Sequence, residues 1–148
     1  MDNLSENPEN PRLWQLINLA APIITGRDCK VKRQDPTGGG YGETSVNLQG
    51  LPVVCIEKAL QGDYLIATLL HELAHVKHHA DKLVRSDTEN EPPGSNSNHK
   101  NRDDWETEAY TQTLEWVRYG MANRDQELPK DAGILLALVE KNIKENEK

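Results

Sequence analysis

The segment Tyr64-Leu65-Ile66-Ala67-Thr68-Leu69-Leu70-His71-Glu72-Leu73-Ala74-His75 constrains this chain more than any other part of it. Its first half is apolar nearly all round a 3.6-residue period, which places a helix at the centre of a core. Its second half interrupts that surface with two histidines four positions apart and an acid between them. Residues at i and i+4 lie one turn apart on nearly the same helical face, so His71 and His75 can present both rings to one point. A fold built round this helix must bury the apolar side and keep the histidines accessible. The pattern predicts a helix from about Asp63 to Val84.

The rest of the chain supplies packing partners. Asn10 as N-cap, Pro11 at the first helical position and the stripe Leu13, Leu16, Ile17 and Ala20 predict a first helix, with Pro22 and Gly26 ending it. From 28 to 57 the period shortens. Cys29-Val31-Arg33, Val46-Leu48 and Val53-Val54-Cys55-Ile56 predict short strands, separated by Asp35-Pro36-Thr37-Gly38-Gly39-Gly40 and by Gln49-Gly50. The glycine cluster matches neither a phosphate loop nor a dinucleotide fingerprint and is expected to form a flexible hairpin turn. Residues 86–103 carry no large apolar side chain and predict a mobile loop. A third helix is expected from about Asp104 to Tyr119 with Gly120 as its stop. A fourth should run from about Lys130 to Lys144, burying Ile134, Leu135, Leu138 and Ile143. With 148 residues and no phenylalanine, the expectation is one α+β domain over residues 1–148, its core made of Leu, Ile, Val and Ala. It would hold an N-terminal helix, a small antiparallel or mixed sheet, the histidine helix and two helices packed on it.

Charge and composition remove several function classes. The formal net charge of −7 argues against a long phosphate-binding surface, which needs clustered Lys and Arg. The one dense basic stretch, Lys30-Val31-Lys32-Arg33, alternates as a strand does and reads as a solvated strand face. Direct nucleic-acid binding is therefore not expected. No apolar run approaches the roughly 20 residues of a membrane span, and the first residues show no signal-peptide pattern. Two cysteines, Cys29 and Cys55, make no disulfide framework. A cytoplasmic protein with reduced thiols is expected.

The chemistry is concentrated in His71-Glu72-Leu73-Ala74-His75. Two histidines on one face can hold a single metal ion from a rigid support. Glu72 lies about 100° round the helix axis from His71, beside such an ion and not on it. That is where a base for a metal-bound water belongs: zinc lowers the pKa of the water toward neutrality and the glutamate takes its proton. Chance alone produces the pattern in roughly one or two chains in a hundred of this composition. A catalytic zinc site also needs a third protein ligand. Among Glu106, Glu108, His78, His79 and His99, helical periodicity selects Glu106. It belongs to the apolar face of the third helix with Ala109, Tyr110, Thr113 and Val117, whereas Glu108 falls on the polar face with Thr111, Gln112 and Glu115. Asp103 and Glu106 also read as a capping box, which would occupy Glu106 at the start of its helix.

His71-Glu72-Leu73-Ala74-His75, followed after a loop by Glu106-Thr107-Glu108-Ala109, resembles the zincin metallopeptidases of gluzincin type. Among these it is most similar to the ImmA/IrrE group, which includes proteases that cleave phage-type repressors. In that group the first glutamate of a Glu-x-Glu-Ala-Asn/Asp motif is the third zinc ligand, which implies Glu106 here. The closing Asn/Asp corresponds to Tyr110, so a partner for a zinc histidine is missing at its usual place. The histidine helix is also similar to that of the metallopeptidase-like domain of ArdC antirestriction proteins. Their Thr-Gly-His step is replaced here by Lys77-His78-His79. The small YgjP/SprT-like metalloproteins resemble the stretch from His71 to His78, but their third histidine would fall at Asp81.

These resemblances imply a zincin-like fold and a zinc-dependent hydrolase, a metallopeptidase. Its metal ligands would be His71, His75 and Glu106, its general base Glu72, and its substrate a protein or peptide such as a repressor or regulator. In zincins an edge strand beside the active helix binds an extended substrate. Leu51-Pro52-Val53-Val54-Cys55-Ile56 is expected to be that strand, since proline suits an edge. The alternative is a metal-stabilised interaction, antirestriction or regulatory module of a phage or mobile element, without peptidase activity.

Overall fold

A computed structural model describes residues 11–36, 40–47, 49–79 and 102–146. Among them are four helices and a three-stranded sheet, an α+β arrangement. In chain order these are α1 (Pro11–Thr25), β1 (Lys30–Arg33), β2 (Gly42–Val46), β3 (Pro52–Ile56), α2 (Gly62–His79), α3 (Arg102–Asn123) and α4 (Lys130–Asn146). No described helix is long and apolar enough to cross a membrane.

Helix α2 sits at the centre, as its apolar first half predicts. It packs against α1, α3, α4 and two of the strands. Leu65, Leu69, Leu70, Leu73, Ala74 and Val76 are fully buried in a common core with Ile17 and Ile24 of α1, Val54 and Ile56 of β3, and Leu135 and Leu138 of α4. One side of α2 stays open, with Tyr64 and Ala67 exposed and His71 and His75 half-buried.

The sheet is mixed, in the order β1-β3-β2. Strand β3 runs parallel to β1, pairing Val53 with Lys30, and antiparallel to β2, pairing Pro52 with Val46. Two expectations are corrected by this order. The strand at Pro52–Ile56 is central, with all five residues buried, and not an edge. Pro52 is tolerated because it is the first residue of the strand, before the pairing with β1 begins at Val53. And β1 and β2 are not neighbours, so the glycine cluster does not close a hairpin. Its residues 37–39 lie outside the described residues. The hairpin is the one at Gln49-Gly50, where Asn47 Oδ1 accepts from the backbone N–H of Gln49 and Leu51 and Gly50 takes a φ of 83°. The second strand lies at Gly42–Val46 and not at Val46-Leu48, since Gly42 through Val46 pair with β3; Leu48 lies outside the described residues.

The outer edge of β1 is covered by α1. The Asn18 side-chain amide donates to Val31 O at 3.0 Å and accepts from Val31 N at 2.9 Å, as a neighbouring strand would. Among the described residues this leaves β2 as the edge strand nearest α2.

The helix ends differ from expectation in three places. Pro22 does not stop α1 but lies within it, because the N–H it lacks costs a single bond to Asn18 O in the last turn. Gly26 ends the helix, with φ at 77° and its N–H bonded to Pro22 O at 2.9 Å. Gly120 does not stop α3, which continues to Asn123. Its missing side chain serves packing: a Cβ there would meet Ile134 Cγ2 of α4 at 2.6 Å. Ile143, expected in the buried stripe of α4, is exposed, while Ile134, Leu135 and Leu138 are buried. The expected tail of the histidine helix from 80 to 84, and residues 86–101 of the expected loop, lie outside the described residues. The helix beginning at Arg102 takes the last two positions of that loop.

Candidate metal centre

The regular spacing of α2 delivers His71 and His75 to one point, and α3 brings Glu106 to the same point. Glu106 Oε1 lies 3.0 Å from His71 Nε2 and 2.8 Å from His75 Nε2. The three donor atoms all lie within 4.8 Å of one another. Two imidazole nitrogens and one carboxylate oxygen are a donor set that suits zinc. Three ligands at about 2.0–2.1 Å from a tetrahedral ion stand roughly 3.3 Å apart, so Glu106 Oε1 would need to move from each histidine nitrogen by only a few tenths of an ångström. The residues present therefore fit a zinc ion with an open fourth position.

Among the described residues, Asp103 does not stand at the helix position that a capping box with Glu106 requires. Helix α3 begins at Arg102, which puts Asp103 inside the helix, and Oε1 of Glu106 is taken by the two histidines. Those hydrogen bonds, from His71 first and then His75, hold the Glu106 carboxyl well below the usual carboxylate range. The same contact raises His71 above the ordinary histidine value, against the opposing effect of its burial.

Glu72 stands apart from this trio, as its helical angle predicts. It is 8% exposed, and burial pushes its carboxyl above the ordinary glutamate value. Two features of β2 shape its place. Thr44 Oγ1 donates to Glu72 Oε1 at 2.6 Å. Gly42 lets the strand close on the helix, because a Cβ there would stand 2.9 Å from Thr68 Cγ2 and 3.0 Å from Glu72 Cγ. Neither Thr44 nor Gly42 carries a motif in the sequence; only the docking of β2 on α2 reveals them.

Helical phase alone misjudged the flank of the site. Glu108 is 58% exposed along its side chain, consistent with the polar face, yet its Oε1 lies 2.8 Å from His79 Nε2. His79 is buried at 2% exposure, its ring stacked on Trp105 with centroids 4.8 Å apart. Its other nitrogen, Nδ1, lies 3.1 Å from His75 Nδ1. Burial lowers the His79 pKa, against the opposing effect of its hydrogen bond to Glu108. His78 turns away to Gln112 Oε1 at 2.9 Å. Tyr110, placed by periodicity on the apolar face, is 61% exposed. The buried stripe of α3 runs instead through Trp105, Ala109, Thr113 and Trp116. His99 lies outside the described residues.

No family model, curated protein or solved structure matches this chain.

Proposed function

We propose that the protein is a zinc-dependent hydrolase, a metallopeptidase that cleaves a peptide bond in a protein or peptide. The observation that carries the reading is the meeting of His71 Nε2, His75 Nε2 and Glu106 Oε1 beside a separate, buried carboxylate, Glu72. The two histidines and the base thus come from different sides of α2, and Glu106 is added from α3, the division of labour that hydrolysis requires.

Zinc held by His71, His75 and Glu106 would act as a Lewis acid that brings the pKa of a water toward neutrality. Glu72 is the proton carrier. Thr44 engages Oε1, so Oε2 takes the proton and later gives it to the leaving amine. Burial raises the carboxyl above its ordinary value, which makes Glu72 a stronger base than a solvated glutamate and a competent acid in the second half of the reaction. The edge strand β2, anchored to α2 through Thr44 and Gly42, is where an extended substrate would add to the sheet.

The resemblance to the ImmA/IrrE group favours a repressor or regulator as substrate. Cys29 and Cys55 are free thiols, in keeping with a cytoplasmic setting. Glu72→Gln provides the test. It keeps size and the acceptor for Thr44 but cannot take a proton, so hydrolysis of a repressor encoded beside this gene should fall by about a hundred to ten-thousand-fold with zinc content intact. Cleavage at the wild-type rate in that variant would rule the mechanism out. A metal-stabilised interaction module would instead keep its partner binding in Glu72→Gln and lose it on replacement of His71.

A further inference from the structure

We propose that His79 and Glu108 form a hydrogen-bonded relay that orients His75 and assigns its Nε2, and not its Nδ1, to the metal. The proposal rests on the zinc-site reading above and concerns two residues outside the ligand set.

The contacts run in one line. Glu108 Oε1 meets His79 Nε2 at 2.8 Å, and His79 Nδ1 meets His75 Nδ1 at 3.1 Å. His75 faces His71 and Glu106 with Nε2. An imidazole that gives its Nε2 lone pair to a metal keeps a hydrogen on Nδ1, so His75 Nδ1 is then the donor to His79 Nδ1 at 3.1 Å. A ring that accepts at Nδ1 carries its own hydrogen on Nε2, where Glu108 Oε1 accepts it at 2.8 Å. Metal on His75 and the carboxylate of Glu108 thus require the same tautomer of the ring between them.

The rings are also held mechanically. His79 is 2% exposed and stacks on Trp105 with an interplanar angle of 15°. A ring confined in this way has few alternative rotamers, so the acceptor stays where His75 needs it. Metal-bound histidines are commonly fixed by a carboxylate or carbonyl on the second nitrogen; here a histidine interposes between ligand and carboxylate. His79 and Glu108 are positioning residues and would not touch the substrate.

The test is a competition titration with zinc and a chromophoric chelator on the full chain. It compares wild type, His79→Phe, Glu108→Ala and the double variant, with thermal melting of each metal-free protein alongside. Phe preserves the ring on Trp105 but removes the acceptor. His79→Phe should weaken zinc binding by about 10 to 100-fold, and Glu108→Ala by less. The double variant should be no weaker than His79→Phe alone, because the relay carries the effect of Glu108 on the metal through His79. The metal-free melting temperature of each variant separates a loss of affinity from a loss of fold, and Glu108→Ala should remain folded at the temperature of the titration.

Zinc affinity within about twofold of wild type in both single variants would overturn the relay while leaving the ligand set standing. Additive losses in the double variant would also overturn it, by showing that the two residues act separately. If His79→Phe does not fold, Glu108→Ala alone decides, by losing affinity or keeping it. A wild-type protein that binds no zinc would overturn both this inference and the reading on which it rests.

Discussion

Thr44 Oγ1 donates to Glu72 Oε1 at 2.6 Å, tying the edge strand of the sheet to the acid of the histidine helix. A carboxylate taken out of water needs hydrogen bonds to replace its hydration, and this bond supplies one. It also anchors the carboxylate to β2. Replacement by valine keeps the shape and removes the donor. We expect Thr44→Val to destabilise the protein by about 1.5–3 kcal/mol, the usual worth of a hydrogen bond to a charged group. Zinc content should remain unchanged. Chemical denaturation and metal analysis of the same preparation check both outcomes, and unaltered stability would show that the bond does not hold Glu72.

The raised carboxyl of Glu72 has a consequence for stability against pH. Because burial lifts its pKa in the folded state, the folded protein binds that proton more tightly than the unfolded chain. The ionised form then opposes folding: stability is highest below the ordinary glutamate range and falls as pH rises from there through the elevated value. Glu72→Gln abolishes this loss. The metal-free variant should melt above metal-free wild type at neutral pH, and the gap should close below about pH 4. A variant that melts lower than wild type at neutral pH would contradict a destabilised base.

Metal content should follow the ligand set. The protein purified with zinc should hold one equivalent, and His71→Ala should lose it. Glu106→Gln should weaken binding more than any substitution at Glu108, because Glu106 supplies a donor atom and Glu108 does not. Full occupancy in a His71→Ala, His75→Ala double variant would end the assignment.

Gly120 offers a test of packing away from the site. Alanine normally gains up to about 1 kcal/mol over glycine within a helix, yet Gly120→Ala should lower stability. The added Cβ would stand 2.6 Å from Ile134 Cγ2 and 3.3 Å from the Ile134 Cα. Overpacking of this kind costs about 1–3 kcal/mol, enough to outweigh the gain. A raised melting temperature would mean that α3 and α4 can separate freely at this crossing.

Local periodicity in the sequence was enough to mark the central helix, to align His71 with His75, to set Glu72 to one side and to single out Glu106, which the structure brings beside the two histidines. Each depends on spacing within one helix, where geometry repeats every 3.6 residues. Other features arise only when elements meet. The unbroken apolar run Val53-Val54-Cys55-Ile56 reads equally as an edge or a centre until β1 and β2 take their places on either side of it. Gly120 looks like a helix stop because glycine is common there, and only the approach of Ile134 shows its packing role. Thr44 and Gly42 carry no local signal for Glu72, since the contact spans two elements distant in sequence. His79 stands one turn beyond His75 in the sequence, but its place between Trp105, Glu108 and His75 needs α2 and α3 packed together. Hydrogen bonds across elements depend on the positions of whole helices and strands, and tertiary packing alone decides those.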